Sequence, residues 1–282
     1  MYNELEYKSW NNLKDFLSSL NSNWIFRGQS DYSWKLESSI DRVNLSVEID
    51  YKKKMFEDFY IRDFKRNPHL YSSKYSVHSD FQILSTLQHY GIPTRLLDFS
   101  QSQYVATYFA IIDSDSDCSI YAINYLELTS STKHLFRLKY DNDSPEIKAY
   151  REGGNISDDG LFQALVLGKK QRQFIDIVQP FFKFDRMIQQ SGCFLCQGDI
   201  NSNFESNLKA NHEILKNMPK CSPYYKIRIK KKWKEEIIRD LERMNITSAS
   251  LFPGMEGYLK SLKNRFEILI NDTKDRIINN YG

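Results

Sequence analysis

The sequence predicts a single α+β domain, a mixed or antiparallel sheet flanked by helices. Two observations lead there. Short apolar or alternating runs of strand length interleave with runs of helical period, without the regular strand–helix repeat of a parallel α/β fold. The chain of 282 residues, 41% hydrophobic and 27% charged, is also long enough to bury a full core and too ordinary in composition for wholesale disorder. No internal repeat and no low-complexity linker divides it, so one domain spanning 1–282 is expected.

Leu13 to Leu20 reads as a short helix ahead of a buried strand, Trp24 to Gly28. Asp31 to Trp34 is a polar turn carrying aromatics. Ser46 to Arg66 places Val47, Ile49, Met55, Phe56, Phe59, Tyr60 and Phe64 near one helical face and ends at Asn67-Pro68. Phe81 to Tyr90 is a second helix, stopped by Gly91-Ile92-Pro93. Arg95 to Phe99 is a short strand, and Ser100 or Ser102 caps a helix from Gln103 to Ala110. An acidic loop, Asp113 to Asp117, leads to an alternating strand, Ser119 to Tyr125. Thr129 to Lys170 is the least regular stretch, with loop signals at 141–145 and 153–160. Strands follow at Ile175–Val178, Gly192–Leu195 and Tyr225–Ile229, with a helical turn at Asp185–Gln190. Lys231 to Met244 is helical, Leu251 to Gly254 a turn, and Met255 to Ile278 a terminal helix that either dimerises or covers the domain.

A net charge of +3 does not announce a nucleic-acid binder. The basic run Lys226 to Lys234, which contains Trp233, reads either as a solvated edge strand entering a helix or as a phosphate-contacting surface. The 18 Tyr and 18 Phe suggest aromatic-rich packing or a stacking surface. Met1 to Glu6 is acidic and polar, and no run of about 18 apolar residues occurs, so neither a secretory leader nor a membrane span is expected. Four scattered cysteines, Cys118, Cys193, Cys196 and Cys221, form no disulfide framework, which reads as a reduced, cytoplasmic protein. Cys193-Phe194-Leu195-Cys196 has C-x-x-C spacing, but it lacks a second pair and its apolar middle reads as a buried strand. No metal site is expected.

Two constellations carry chemistry. Trp24-Ile25-Phe26-Arg27-Gly28-Gln29 puts a guanidinium and a glycine at the end of an apolar strand, where Gly28 permits a sharp turn or a close ligand approach. Such an arginine is either clamped by buried carboxylates or holds a phosphate or carboxylate in a cleft. The second is His89-Tyr90-Gly91-Ile92-Pro93-Thr94-Arg95-Leu96-Leu97-Asp98-Phe99-Ser100. With Arg186 to Phe194, and Ile246 with Leu251-Phe252-Pro253 and Gly257, these blocks match in order those of the FRG-domain family, named for its Phe/Tyr-Arg-Gly motif. The resemblance runs from about residue 20 to 265. Members of that family are mostly bacterial and phage-associated, and the resemblance implies an effector in a toxin or defence system.

The order of motifs also resembles, more distantly, ADP-ribosyltransferases of the Arg-Ser-Glu type. That resemblance implies a cleft for NAD or another nucleotide or phosphate-bearing ligand. Arg27 would hold a phosphate or ribose, and Leu97-Asp98-Phe99-Ser100 would take the hydroxyl-bearing position. Gln190 would fall near the place of the glutamate, where a glutamine cannot supply charge, so Asp98 would supply the carboxylate. The catalytic candidates are therefore Arg27, Asp98, His89 and Gln190. The ligand-binding candidates are Phe26, Gly28, Gln29, Tyr90, Thr94, Arg95, Ser100 and Arg186. The macromolecular target would be a protein or a nucleic acid. Each candidate also has a plainer reading. Arg27 with Asp98, and Arg95 beside them, could be buried pairing that fixes the fold. His89 could be a helix-end residue, and Ser100 a cap. A non-catalytic nucleotide-sensing or nucleic-acid-binding module is the alternative function.

Overall fold

The computed structural model describes residues 1–43, 52–67, 79–140, 144–216, 223–266 and 270. Its strands are β1 (Asn3–Glu6), β2 (Trp24–Gln29), β3 (Leu96–Ser100), β4 (Cys118–Asn124), β5 (Ile175–Val178), β6 (Gly192–Gln197) and β7 (Tyr224–Ile229). They form one seven-stranded sheet in the order β1-β7-β4-β2-β3-β6-β5. All neighbours run antiparallel except β1 with β7. The α+β class with a mixed sheet is therefore as the sequence predicts.

Helices cover both faces. One face carries α1 (Trp10–Ser19), α2 (Lys52–Arg66), α3 (Asp80–His89), α4 (Gln103–Ile111) and α10 (Lys234–Arg243). The other is closed by α9 (Phe204–Leu215), whose Phe204, Leu208 and Leu215 pack on Ile25, Leu97, Tyr121 and Leu195. The remaining helices are α5 (Tyr125–Leu138), α6 (Pro145–Arg151), α7 (Asp159–Phe162) running into a π-helical turn, α8 (Asp185–Gln189), α11 (Ser248–Leu251) and α12 (residues 255–266). With both faces covered, β4 is buried at all but its last residue, so its alternation of residue types does not become an alternation of exposure.

The expected strands and the helices at α1, α3, α4, α8 and α10 fall within a few residues of their predicted places. The expected start at Ser46 lies outside the described residues, as does most of the terminal helix beyond Phe266. The stretch 129–170 is more helical than expected, since it holds α5, α6 and α7; residues 152–158 between α6 and α7 are loop, in keeping with the loop signal at 153–160, and 141–143 lie outside the described residues. Hydroxyl residues hide the helical pattern of α5, because Ser131 and Thr132 donate back to the Leu128 carbonyl inside the helix. Strand β1 has too few apolar residues to be recognised alone and exists by pairing with β7. Helix α9 is hidden by Asn207 and Asn211, which are fully buried. Asn211 Oδ1 accepts from Ile175 N at 2.8 Å and its amide donates to Thr132 Oγ1 at 2.7 Å, so a side chain satisfies backbone at the edge strand β5.

Gly28 makes no turn. It lies within β2, and a Cβ there would stand 2.0 Å from Ala106 O and 2.4 Å from Ala110 N. The glycine lets α4 lie directly on the strand, which replaces the close ligand approach expected of it. Phe26, 2% exposed, belongs to the same packed layer. Gly28→Ala is therefore expected to lower stability by about 1–3 kcal/mol or more, as overpacking against rigid backbone does, and a urea titration will measure it.

Candidate functional site

The sheet is interrupted between β2 and β3. β2 pairs with β4 along its whole length and β3 with β6 along its whole length, but β2 and β3 pair only at Phe26↔Ser100. Beyond that point the strands part, and a cleft of about 960 Å³ opens between them, walled by α3, α4, α8 and the loop after β2. That volume suits a nucleotide-sized ligand, since small-molecule pockets run to roughly 1,000 Å³.

Arg27 bridges the gap. Its Nη1 donates to the Asp98 backbone carbonyl at 2.7 Å, in place of a strand–strand hydrogen bond. Its Nε is buried and makes no hydrogen bond among the described residues. Burial pulls the Arg27 pKa below its ordinary value; Asp98 opposes that shift and Arg42 adds to it. The neighbouring Gln29 is 7% exposed; its Nε2 donates to Lys35 O at 2.9 Å, while its buried Oε1 has no partner. Two orphaned polar atoms on one strand end, both on cleft residues, mark the place where a ligand can complete the hydrogen bonding.

Asp98 points its carboxylate into the cleft, and Gln88 holds it there. Gln88 Nε2 donates to Asp98 Oδ2 at 2.9 Å, and Gln88 Oε1 accepts from Thr94 Oγ1 at 2.5 Å and Ser39 Oγ at 3.3 Å. Thr94, 1% exposed, is thus behind the site rather than in it. His89 stacks on Phe184 with ring centroids 4.5 Å apart and planes 8° from parallel, forming a flat wall. Burial lowers its pKa, helped by Arg186, so the stacked ring is neutral near pH 7. Arg186 is exposed on the rim, with its guanidinium 4.7 Å from the Phe252 ring centre. Gln190 is pinned by donation from its Nε2 to Leu251 O at 3.0 Å.

The cleft gathers nine of the twelve candidates: Phe26, Arg27, Gly28, Gln29, His89, Asp98, Ser100, Arg186 and Gln190. Three lie elsewhere. Tyr90 caps α3 with its ring turned out to solvent, and Thr94 is the relay just described. Arg95 is not a ligand arginine. It is fully buried, its Nε and Nη2 donate to Glu57 at 2.7 and 2.5 Å, and its Nη1 meets the carbonyls of Val166, Gln197 and Gly198. Ser100 lines the cleft, but its hydroxyl donates to Gln190 O and accepts from Ser102 N, and Ser102 is the cap of α4. The cleft also holds residues the sequence did not single out as site residues, among them Trp34, Lys35, Arg42, Gln88 and Phe184. Gln88 directly precedes the second motif block and Trp34 follows the first, and that proximity is the signal the sequence offers for them. Four cations on its walls, Arg27, Lys35, Arg42 and Arg186, face two carboxylates, Glu37 and Asp98, so the cleft favours an anion.

The basic run is largely spent within the fold. Lys226 is 9% exposed beneath the Tyr32 and Tyr121 rings, Arg228 pairs with Asp117 and Glu6, Lys230 pairs with Glu6, and Lys234 donates to Ser114 O. Cys193 and Cys196, three apart on β6, point to opposite faces of the sheet and cannot share a metal. Burial pushes both thiols up to about 12; Cys221 lies outside the described residues. Among the described residues no group of three or more His, Cys, Asp or Glu is placed to hold a metal ion, and no helix is long and apolar enough to cross a membrane.

Residues 22–118 match the family model of the FRG domain. The chain carries an FRG domain. No curated protein and no solved structure matches it. The matched FRG residues supply β2, β3, α3 and α4, and with them Arg27, His89 and Asp98. The opposite wall, Phe184, Arg186 and Gln190, comes from outside the match.

Arg95 depends on its one carboxylate partner. Glu57→Ala strands the buried Arg95 charge and should cost about 3–5 kcal/mol in denaturant unfolding. His89 should titrate below the ordinary histidine value of about 6.5, as followed by its imidazole resonances in NMR. Because its folded pKa is the lower one, neutral His89 contributes stability above the unfolded value. That contribution is lost as pH falls through about 6.5 toward the folded value.

Proposed function

We propose that the cleft of this FRG domain binds a phosphate-bearing nucleotide, with NAD the first ligand to test, and acts on it in the manner of an ADP-ribosyltransferase. The observation that supports this most is Arg27 set in the gap of the sheet, with one nitrogen fixed to Asp98 O and the buried Nε open, beside the orphaned Gln29 carbonyl. A phosphate or ribose oxygen would take the Nε proton as an acceptor, and a ribose hydroxyl or ring amine would donate to Gln29 Oε1. The parallel His89 and Phe184 rings and the exposed Trp34 offer apolar planes to a base, and the surplus of cations suits two phosphates.

In the reaction the bond between ribose C1′ and the nicotinamide nitrogen breaks, and its electron pair leaves with nicotinamide. A nucleophile from water or a macromolecular target then bonds to C1′ and gives up its proton. The transition state carries positive charge on the ribose, and the Asp98 carboxylate, oriented by Gln88, is the group of the cleft placed to stabilise it. The toxin or defence role that the family resemblance implies goes with this catalytic reading. A sensing module that binds without turnover is the second reading. It is favoured by Gln190: the resemblance would set it near the place of the transferases' glutamate, it cannot supply charge there, and it is already bonded to Leu251 O.

Purified protein incubated with NAD and followed by mass spectrometry and thermal shift separates the readings. Wild type is expected to bind and release nicotinamide. Arg27→Ala should weaken binding by about ten- to a hundredfold, the value of a charge-assisted hydrogen bond. Asp98→Asn should retain binding and lose turnover. Binding of intact NAD with no nicotinamide released selects the sensor. No binding of NAD or other nucleotides sinks the proposal.

A further inference from the structure

Helix α12 is packed the opposite way round from an ordinary amphipathic helix. Its inner face is made of Gly257, Ser261 and Asn264: Gly257 and Ser261 are buried, and Asn264 Nδ2 donates to Ser248 Oγ at 3.4 Å. Only glycine fits at 257, where a Cβ would stand 2.0 Å from Phe252 O and 2.7 Å from Ser248 O. At about 100° per residue the opposite face carries Met255, Leu259, Leu262 and Phe266. These are 70%, 54%, 42% and 64% exposed. Small and polar residues thus face the protein, while a stripe of large apolar side chains faces out. Their four–three–four spacing is the seam of a helix pair.

We infer that this stripe binds the same stripe of a second copy of the chain, in an antiparallel two-fold pair. The spacing reads the same in both directions, so an antiparallel copy sets Leu259 against Leu262 and Met255 against Phe266, each contact occurring twice. Charge selects the direction. In an antiparallel pair each flank of the helix meets the same flank of its copy. Glu256 then lies beside Lys263 of the second copy, and Arg265 beside Tyr258 of the second copy. A parallel pair would instead set Lys263 beside Tyr258 of the second copy and leave Glu256 with no opposite charge across the seam. Arg265 is 4.0 Å from Glu242 within its own chain, a contact that does not compete strongly with the second copy.

Sedimentation velocity of the full chain across the micromolar range tests this. The expected result is a shift from one chain to two as concentration rises. Leu259→Glu should weaken the association by about tenfold or more, since it removes an apolar side chain from the centre of the seam. Leu259→Glu lies on the exposed face, so its circular dichroism spectrum should match wild type. The decisive arm uses Glu256→Lys and Lys263→Glu. Each alone sets like charges together and should weaken self-association, whereas an equimolar mixture of the two restores it, because both cross-pairs are again of opposite sign. A chain that stays single throughout, a dimer indifferent to Leu259→Glu, or charge variants that mixing does not rescue would each overturn the inference. In the first case removal of residues 271–282 would show whether the chain's own end covers the stripe.

Discussion

The interruption between β2 and β3 is the constraint on which the site depends. A continuous sheet would pair Gly28 and Gln29 with the first half of β3 and leave no cleft. Instead each strand is held from its far side. β2 is fully paired with β4 and pressed against α4 through Gly28, while β3 is fully paired with β6 and tied to α3 through Gln88. The two halves meet at one residue pair and at one side chain, Arg27. A parted sheet exposes backbone groups that must find partners, each worth about 1–3 kcal/mol if left dry. Arg27 satisfies one of them, and the open space lets ligand or solvent reach the rest.

The two arginines of the motif blocks show how burial decides between architecture and chemistry. Both guanidiniums are drawn into the protein, and both would be costly if unpaired. Arg95 has a carboxylate and three carbonyls, and with that set of partners it has nothing left for a ligand. It fastens α2 to the sheet. Arg27 has one carbonyl, and Arg42 makes its environment more positive. An arginine so under-supplied with acceptors attracts an anion as Arg95 does not. The difference lies not in the motif but in the carboxylate that α2 delivers to one and not to the other.

This also marks how far the sequence could be read. Strands rich in Ile, Phe and Leu were legible because the apolar residues that bury them also encode them. The candidate cleft was legible where a residue stood in an unusual local setting, as Arg27 does at the end of an apolar run. Arg95 also adjoins an apolar run, at its start, and is spent inside the core. Its role is set by Glu57, 38 positions away, and no local pattern carries that. Helices α5 and α9 were opaque for a related reason. Their Ser, Thr and Asn read as loop formers, yet they are spent on the carbonyls and amides of β5 and of their own turns, a use visible only once the edge strand is beside them.

The division of the cleft between two parts of the chain bears on what the FRG match can and cannot carry. Arg27 and Asp98, which would handle charge at the reacting centre, lie inside residues 22–118, together with the helices that fix them. Phe184, Arg186 and Gln190, which shape the facing wall, lie outside. The wall is built differently from the floor. Asp98 is held by Gln88, which is itself tied to the buried Thr94, whereas Arg186 is exposed with its guanidinium over the Phe252 ring, and Phe181 and Phe182 before it stand 90% and 49% exposed. A rigid floor with an accessible rim is the arrangement in which the floor sets the kind of ligand and the rim sets which one enters. On the proposed nucleotide-binding reading, exchanging rim residues would alter the choice among ligands, whereas loss of the Arg27 guanidinium would weaken them all alike.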